Sequence, residues 1–153
     1  PHLLLACESQ PDVMWQQNHC GIFRSTNAGK QWDEVSGKDG FPYYGFALAI
    51  DNEDPLKAWV IPAVSDAMRI AHDMALCVCH TNDGGNNWQA QRNGLPQEFC
   101  FDIVFRHSFI RAGNTLLFGT TTGNLFVSED DGTSWQALSY HLARVDCLAV
   151  STF

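Results

Sequence analysis

Four carboxylates, Asp66, Asp73, Glu98 and Asp102, stand in stretches that read as connections between strands, where paired acids could cleave a glycosidic bond as general acid and base. Arg24, Arg69, Arg92, Arg106, Arg111 and Arg144 could hold an acidic group, but they are scattered along the chain, and Arg24 and Arg92 read as edge or surface residues. The run Gln16-Gln17-Asn18-His19-Cys20 is polar for the end of a strand. It is expected to contact a ligand, as is the long connection from Pro62 to Ala75. The candidate contact residues are Gln16, Gln17, Asn18, His19, Asp66 and Arg69, and no residue is assigned a catalytic role.

Two other groupings invite a chemical reading and fail it. Cys77-x-Cys79-His80 has one residue between its cysteines where structural zinc sites use two or more, so the thiols are expected in the core and no metal is assigned. Thr120-Thr-Thr-Gly-Asn124 lacks the lysine and following helix of a phosphate loop and reads as a hairpin turn. No cofactor is implied.

The elements that must position these residues show themselves through a repeat. Ser25-Thr-Asn27-Ala-Gly29-Lys-Gln-Trp32, Thr81-Asn-Asp83-Gly-Gly85-Asn-Asn-Trp88 and Ser128-Glu-Asp130-Asp-Gly132-Thr-Ser-Trp135 keep hydroxyl, Asx, Gly and Trp at fixed spacing. Their tryptophans are 56 and then 47 residues apart, close to the period of one four-stranded propeller blade. The Asx side chain can accept from backbone N–H groups ahead of it, the glycine can take positive φ, and the hydroxyl can brace the turn. The tryptophan buries its ring between strands while its indole N–H seeks a carbonyl. Around each repeat the chain reads strand, turn, strand, strand, repeat, strand. The expected strands are 2–6, 13–17, 21–24 and 32–35, then 46–50, 57–61, 75–79 and 88–91, then 101–105, 115–118, 124–127 and 135–138. A further inner strand is expected within 145–152.

These eight-residue patterns resemble the Asp-box, or BNR repeat, Ser-x-Asp-x-Gly-x-x-Trp, from which Asn27 and Thr81 depart while keeping the hydrogen-bonding capacity. Longer stretches, Trp15-Gln-Gln-Asn-His-Cys-Gly-Ile-Phe-Arg-Ser25, Trp59-Val-Ile-Pro-Ala-Val-Ser-Asp66, Asn93-Gly-Leu-Pro-Gln-Glu98 and Phe118-Gly-Thr-Thr-Thr-Gly-Asn124, are similar to bacterial sialidase-like and glycosyl-hydrolase-like propeller proteins. The resemblance implies an all-β fold of three β-propeller blades of four antiparallel strands, at approximately 1–42, 43–96 and 97–143, in a single segment spanning 1–153. The expected function is a non-catalytic module for protein or carbohydrate binding, with a sialidase-like or related propeller glycoside hydrolase, or an inactive remnant of one, as the alternative. The Phe/Tyr-Arg-Ile-Pro motif of true sialidases is missing.

Composition narrows the partners. The formal charge of −8 repels phosphate backbones, which argues against nucleic acid. No run approaches the roughly 18 apolar residues of a membrane span. Six cysteines with mostly apolar neighbours read as free thiols of a cytoplasmic protein, although a removed export signal stays compatible with the sequence. Three blades do not close a ring. A homodimer completing six blades, or a missing partner chain, is therefore expected.

Overall fold

The computed structural model describes residues 1–151, and these form three four-stranded antiparallel sheets. The first contains β1 (Leu3–Ala6), β2 (Met14–Asn18), β3 (Gly21–Ser25) and β4 (Asp33–Glu34), paired in chain order. The second contains β5 (Gly45–Ile50), β6 (Ala58–Pro62), β7 (Val78–Thr81) and β8 (Gln89–Gln91). The third contains β9 (Phe109–Ala112), β10 (Thr115–Gly119), β11 (Leu125–Ser128) and β12 (Gln136–Ser139). No described helix is long and apolar enough to cross a membrane.

Burial explains why the strands differ in pattern. β2 alternates, turning Trp15 and Gln17 inward, because only one of its faces is covered. β5 and β6 are buried at every position, because the second sheet lies between the other two, and their sequences run apolar without alternation. Trp15, Ile22, Leu48, Val60 and Cys79 fill the space between the first and second sheets. Trp59, Val78, Leu116, Phe118, Phe126 and Trp135 fill that between the second and third.

The three repeats fold identically. In each, the hydroxyl oxygen accepts from the glycine amide four residues on, at 2.9, 3.0 and 2.9 Å for Ser25, Thr81 and Ser128. The hydroxyl donates to the Asx oxygen at 3.0, 2.9 and 2.7 Å. That oxygen accepts in turn from the amides of Gln31, Asn87 and Ser134. The glycines sit at φ 77°, 91° and 93°, which other residues take only with strain.

Indole groups join the sheets. Trp15 Nε1 donates to Pro55 O at 3.2 Å, linking the first sheet to the second, and Trp59 Nε1 donates to Asp131 O at 3.0 Å, linking the second to the third. Trp59 is fully enclosed, stacked on His80 with the Arg111 guanidinium 4.9 Å from its ring. Of the repeat tryptophans, the Trp88 indole reaches back to Val35 O at 2.7 Å, whereas the Trp135 indole donates to Gly132 O within its own repeat at 3.1 Å and it is the Trp135 backbone amide that reaches Asn93 O at 3.0 Å. Gly94 lies so close beneath the Trp135 carbonyl that a Cβ there would be 1.9 Å from its oxygen. Trp32 has no sheet in front of it. It is half-buried, and its indole meets no acceptor among the described residues.

Three expectations need correction. Residues 101–105 form no strand, and the inner strand of the third sheet is β9 instead, joined to β10 by the Gly113-Asn114 turn with Gly113 at φ 58°. Asp102 is turned inward to accept from Thr122 and Asn124, which fixes 101–105 as a connection. The third strand of the second sheet begins at Val78 and not at Ala75. The expected strand within 145–152 is a single parallel bridge, His107 to Cys147, with the Val145 amide on Thr120 O and the Leu148 amide on His107 O; residue 152 lies outside the described residues. Val145 rests over Gly119, whose missing side chain makes the room.

Trp59→Ala should destabilise the fold by about 3–5 kcal/mol, and Trp32→Ala by less than half as much, in denaturant unfolding. Equal losses would remove the indole joint as the distinguishing cause. The repeats also predict an acid response. Ser134 and Ser128 hold the Asp130 carboxyl down to about 2, and Asn87 lowers that of Asp83. A depressed carboxyl stabilises the fold above its unfolded value, roughly 3.9, and loses that contribution as pH falls towards the folded value. Below pH 4 the melting temperature of Asp130→Asn should therefore fall less steeply than that of the parent. Asn27, already an amide, makes the first repeat insensitive.

Candidate functional site

Side chains from four connections meet at one end of the sheets. The β2–β3 turn brings His19, and Asn18 Oδ1 holds that turn by accepting from the Cys20 amide at 2.7 Å. The connection from β6 to β7 brings Asp66 and Arg69, the connection from β8 to β9 brings Phe105, Arg106 and His107, and the segment after β12 brings Arg144 and Asp146. Aromatic contacts fasten these pieces together. His2 stacks on Phe46 with centroids 4.5 Å apart, Phe46 meets Tyr44 at 5.4 Å, and Phe46 meets Phe105 at 5.3 Å.

Three guanidinium groups lie on this platform. Those of Arg69 and Arg106 are 5.6 and 5.8 Å from the Phe46 centroid, and that of Arg144 is 4.7 Å from Phe105. An arginine stacked on a ring keeps its in-plane N–H donors free for a planar anion. Arg69 spends its donors on Asp66, with Nη2 2.5 Å from Oδ1, and Arg144 spends Nε on Asp146 at 2.7 Å. Arg106, exposed, meets no acceptor among the described residues. Arg69, Phe105, Arg106, His107, Arg144 and Asp146 line a depression of about 300 Å³. Arg106 and His107 also border a cleft of about 380 Å³ along the inner strands, floored by Leu3, Leu5, Leu48 and Ile50.

The titrating groups respond to this setting. Arg69 lowers the Asp66 carboxyl through its hydrogen bond. Burial first, and then Asp66, whose Oδ1 accepts from the phenol at 3.3 Å, raise the Tyr44 hydroxyl. Burial lowers the His2 imidazole, against its bond to Gly45 O, and His19 and Arg106 add to that.

Of the residues singled out from sequence, His19, Asp66 and Arg69 come together here, with His19 Nε2 3.9 Å from Asp66 Oδ1. Gln17 does not. It is fully buried at the joint of the first and second sheets, its amide oriented to donate to Ala47 O at 3.1 Å and accept from Gly45 N at 3.2 Å, so a ligand has no access to it. Gln16 sits within β2 between Leu4 and Phe23, and Asn18 is occupied with its turn. The four carboxylates stay in separate settings: Asp66 with Arg69, Asp102 buried with Thr122 and Asn124, Asp73 and Glu98 exposed. Arg24 is half-buried over the Trp15 ring at 5.5 Å, deeper than an edge position. Cys77 and Cys79 are buried in the core, where the neighbouring Cys77 and burial raise the Cys79 thiol. Among the described residues no three His, Cys, Asp or Glu side chains are grouped to hold a metal ion.

Arg106, Arg144, Tyr44 and Phe46 were not selected from sequence. Their sole signal is position: Tyr44, Phe46 and Arg106 lie at or just before the inner strands β5 and β9, and Arg144 just before the segment bridged to His107.

No protein-family model and no curated protein matches the chain. Solved structures do. A YCF48 bound to D1 peptide superposes with a TM-score of 0.64 at 15% identity, over 92% of this chain and 40% of that one. The GH74 xyloglucanase from Xanthomonas campestris gives 0.63 at 18% identity over 86% of this chain and 20% of that one. An ancestral GH74 enzyme gives 0.69 at 16%, over 90% and 18%. The chain thus spans two fifths of the first of these proteins and about a fifth of the others. At such identities the likeness is one of fold, and the fold is that of a stretch of β-propeller carrying three blades.

Proposed function

We propose that this chain is part of a non-catalytic propeller module that binds a protein or carbohydrate ligand through an acidic group at the Arg106 platform. The observation that carries the reading is the gathering of Arg69, Arg106 and Arg144 on Phe46 and Phe105 beside the inner-strand cleft, in a chain of net charge −8. An acidic ligand is repelled by most of the surface and drawn to this one place. A YCF48 of similar fold is seen bound to a peptide, which supports a protein ligand, and the xyloglucanase likeness keeps a glycan in view. Tyr44 and Asp66 form a phenol–carboxylate pair, but the phenol is raised, the opposite of an activated nucleophile. We assign the eight-residue repeats to the Asp-box type and leave them a structural role.

Ring completion belongs to the same proposal. Leu4, Phe23 and Trp32 on the first sheet, and Leu117, Val127 and Leu138 on the third, occupy faces that a neighbouring sheet covers in the middle of the chain. A second copy supplying that cover gives a homodimer. Light scattering on the purified chain should return twice the 17.0 kDa mass, and a folded monomer would end the dimer reading.

Acidic peptides and uronate-bearing oligosaccharides, screened against the parent and Arg106→Ala, test the binding site. Loss of one charge-assisted pair should weaken binding about tenfold or more, with the melting temperature unchanged and fluorogenic glycosides left intact. Affinity indifferent to Arg106→Ala, or turnover of a glycoside, would refute the reading.

A further inference from the structure

The joint between the second and third sheets holds a titrating group outside the Arg106 platform. His80 of β7 stands opposite Trp59 of β6, half-buried, its imidazole stacked on the indole at 4.9 Å with 17° between the planes. Its Nε2 is enclosed and meets no hydrogen-bonding partner among the described residues. A neutral imidazole can leave such a nitrogen bare. An imidazolium cannot, because both ring nitrogens then carry hydrogens that need acceptors.

The charges around the ring are already matched. Arg111 of β9 lies over the same indole and reaches Asp51 Oδ2 at 2.9 Å and Asp131 Oδ1 at 3.3 Å. Lys57 Nζ is 3.5 Å from Asp131 Oδ2, and on the other side of His80 β8 presents the uncharged Gln89. Two carboxylates thus balance two cations, and a third cation would find no carboxylate of its own. Asp131 is also the residue that holds the indole, since Trp59 Nε1 donates to its carbonyl at 3.0 Å. Burial lowers the His80 imidazole, Asp131 opposes this, and Lys57 and Arg111 add to it.

We propose that His80 is an acid-sensitive latch on this joint: neutral, it completes the stack on Trp59, and protonated, it turns towards water and frees the indole from Asp131. An imidazole lowered in the fold stabilises the folded state above its unfolded value, about 6.5, and that contribution is lost as pH falls from there towards the folded value. The joint therefore loosens in mild acid, while the repeats stay formed because the Asp83 and Asp130 carboxyls titrate lower. Arg111 also borders the inner-strand cleft, so the latch acts on one wall of that cleft.

Melting curves of the whole chain between about pH 7 and 5.5 test the latch. Over this range the parent should lose about 3 °C or more beyond any loss in His80→Phe, which keeps the stack and takes up no proton. The other histidines are common to both proteins and cancel in the difference. His80→Gln, which does not titrate, should follow His80→Phe. Lys57→Met removes a repelling cation and leaves Asp131 free to pair with the imidazolium, so it should shrink the acid step of the parent. Exchange of the Trp59 indole proton, normalised to the free-indole rate at each pH, should become about tenfold less protected in the acidified parent and stay constant in His80→Phe. Parallel pH profiles for the parent, His80→Phe and His80→Gln, an acid step that Lys57→Met leaves untouched, or indole protection unchanged by acid would overturn the assignment.

Discussion

Each joint between neighbouring sheets depends on an indole that does two things at once. The Trp15 and Trp59 rings are wholly removed from water between two sheets, and their N–H groups reach carbonyls of the next blade. Burying so large an apolar surface drives the sheets together, while the single polar atom must find its acceptor or forfeit part of that gain. The acceptors, Pro55 O and Asp131 O, lie in turns whose own geometry is fixed by short-range hydrogen bonds. A tight local turn thus becomes the socket for a long-range contact, and the angle between sheets follows from where that socket stands.

With the sheets so fixed, the connections at one end have little freedom about where they meet. Tyr44 and Phe46, at the start of β5, meet Phe105 of the connection leading to β9 because those two inner strands are held side by side. Arginines are drawn to that platform because their planar groups stack on rings while remaining hydrated at the rim. Three cations in proximity repel one another. Asp66 and Asp146 offset two of them, and the charge left over is carried by Arg106. That surplus, in a chain with seventeen acidic and nine basic residues, is the electrostatic feature of the site.

Much of this was legible in the sequence, and the part that was not has a definite cause. The repeats were legible because a turn is a local object: hydroxyl, Asx and glycine within five residues specify their mutual hydrogen bonds wherever the chain is placed. Their spacing gave the number of sheets. The inner strand of the third sheet was misplaced because Phe101-Asp-Ile-Val-Phe105 has the composition of a strand, and no local pattern says that Asp102 is wanted by Thr122 and Asn124, about twenty residues on. The Gly113-Asn114 turn was the better signal, standing between two strand-like runs.

The sequence by itself determined the all-β class, the three hairpin repeats, the acidic balance and the polar character of the His19 turn, all of which follow from residues close together in the chain. Only the tertiary structure decided that Gln17 is core, that His19, Asp66 and Arg69 share a surface, and that Arg106 and Arg144 join them. Those outcomes depend on how far one sheet is turned against the next, and that angle is set by Trp15 and Trp59 finding carbonyls 40 and 72 residues away. Convergence across such separations leaves no periodicity in the sequence, because the partners are brought together by the packing of sheets and not by their own spacing.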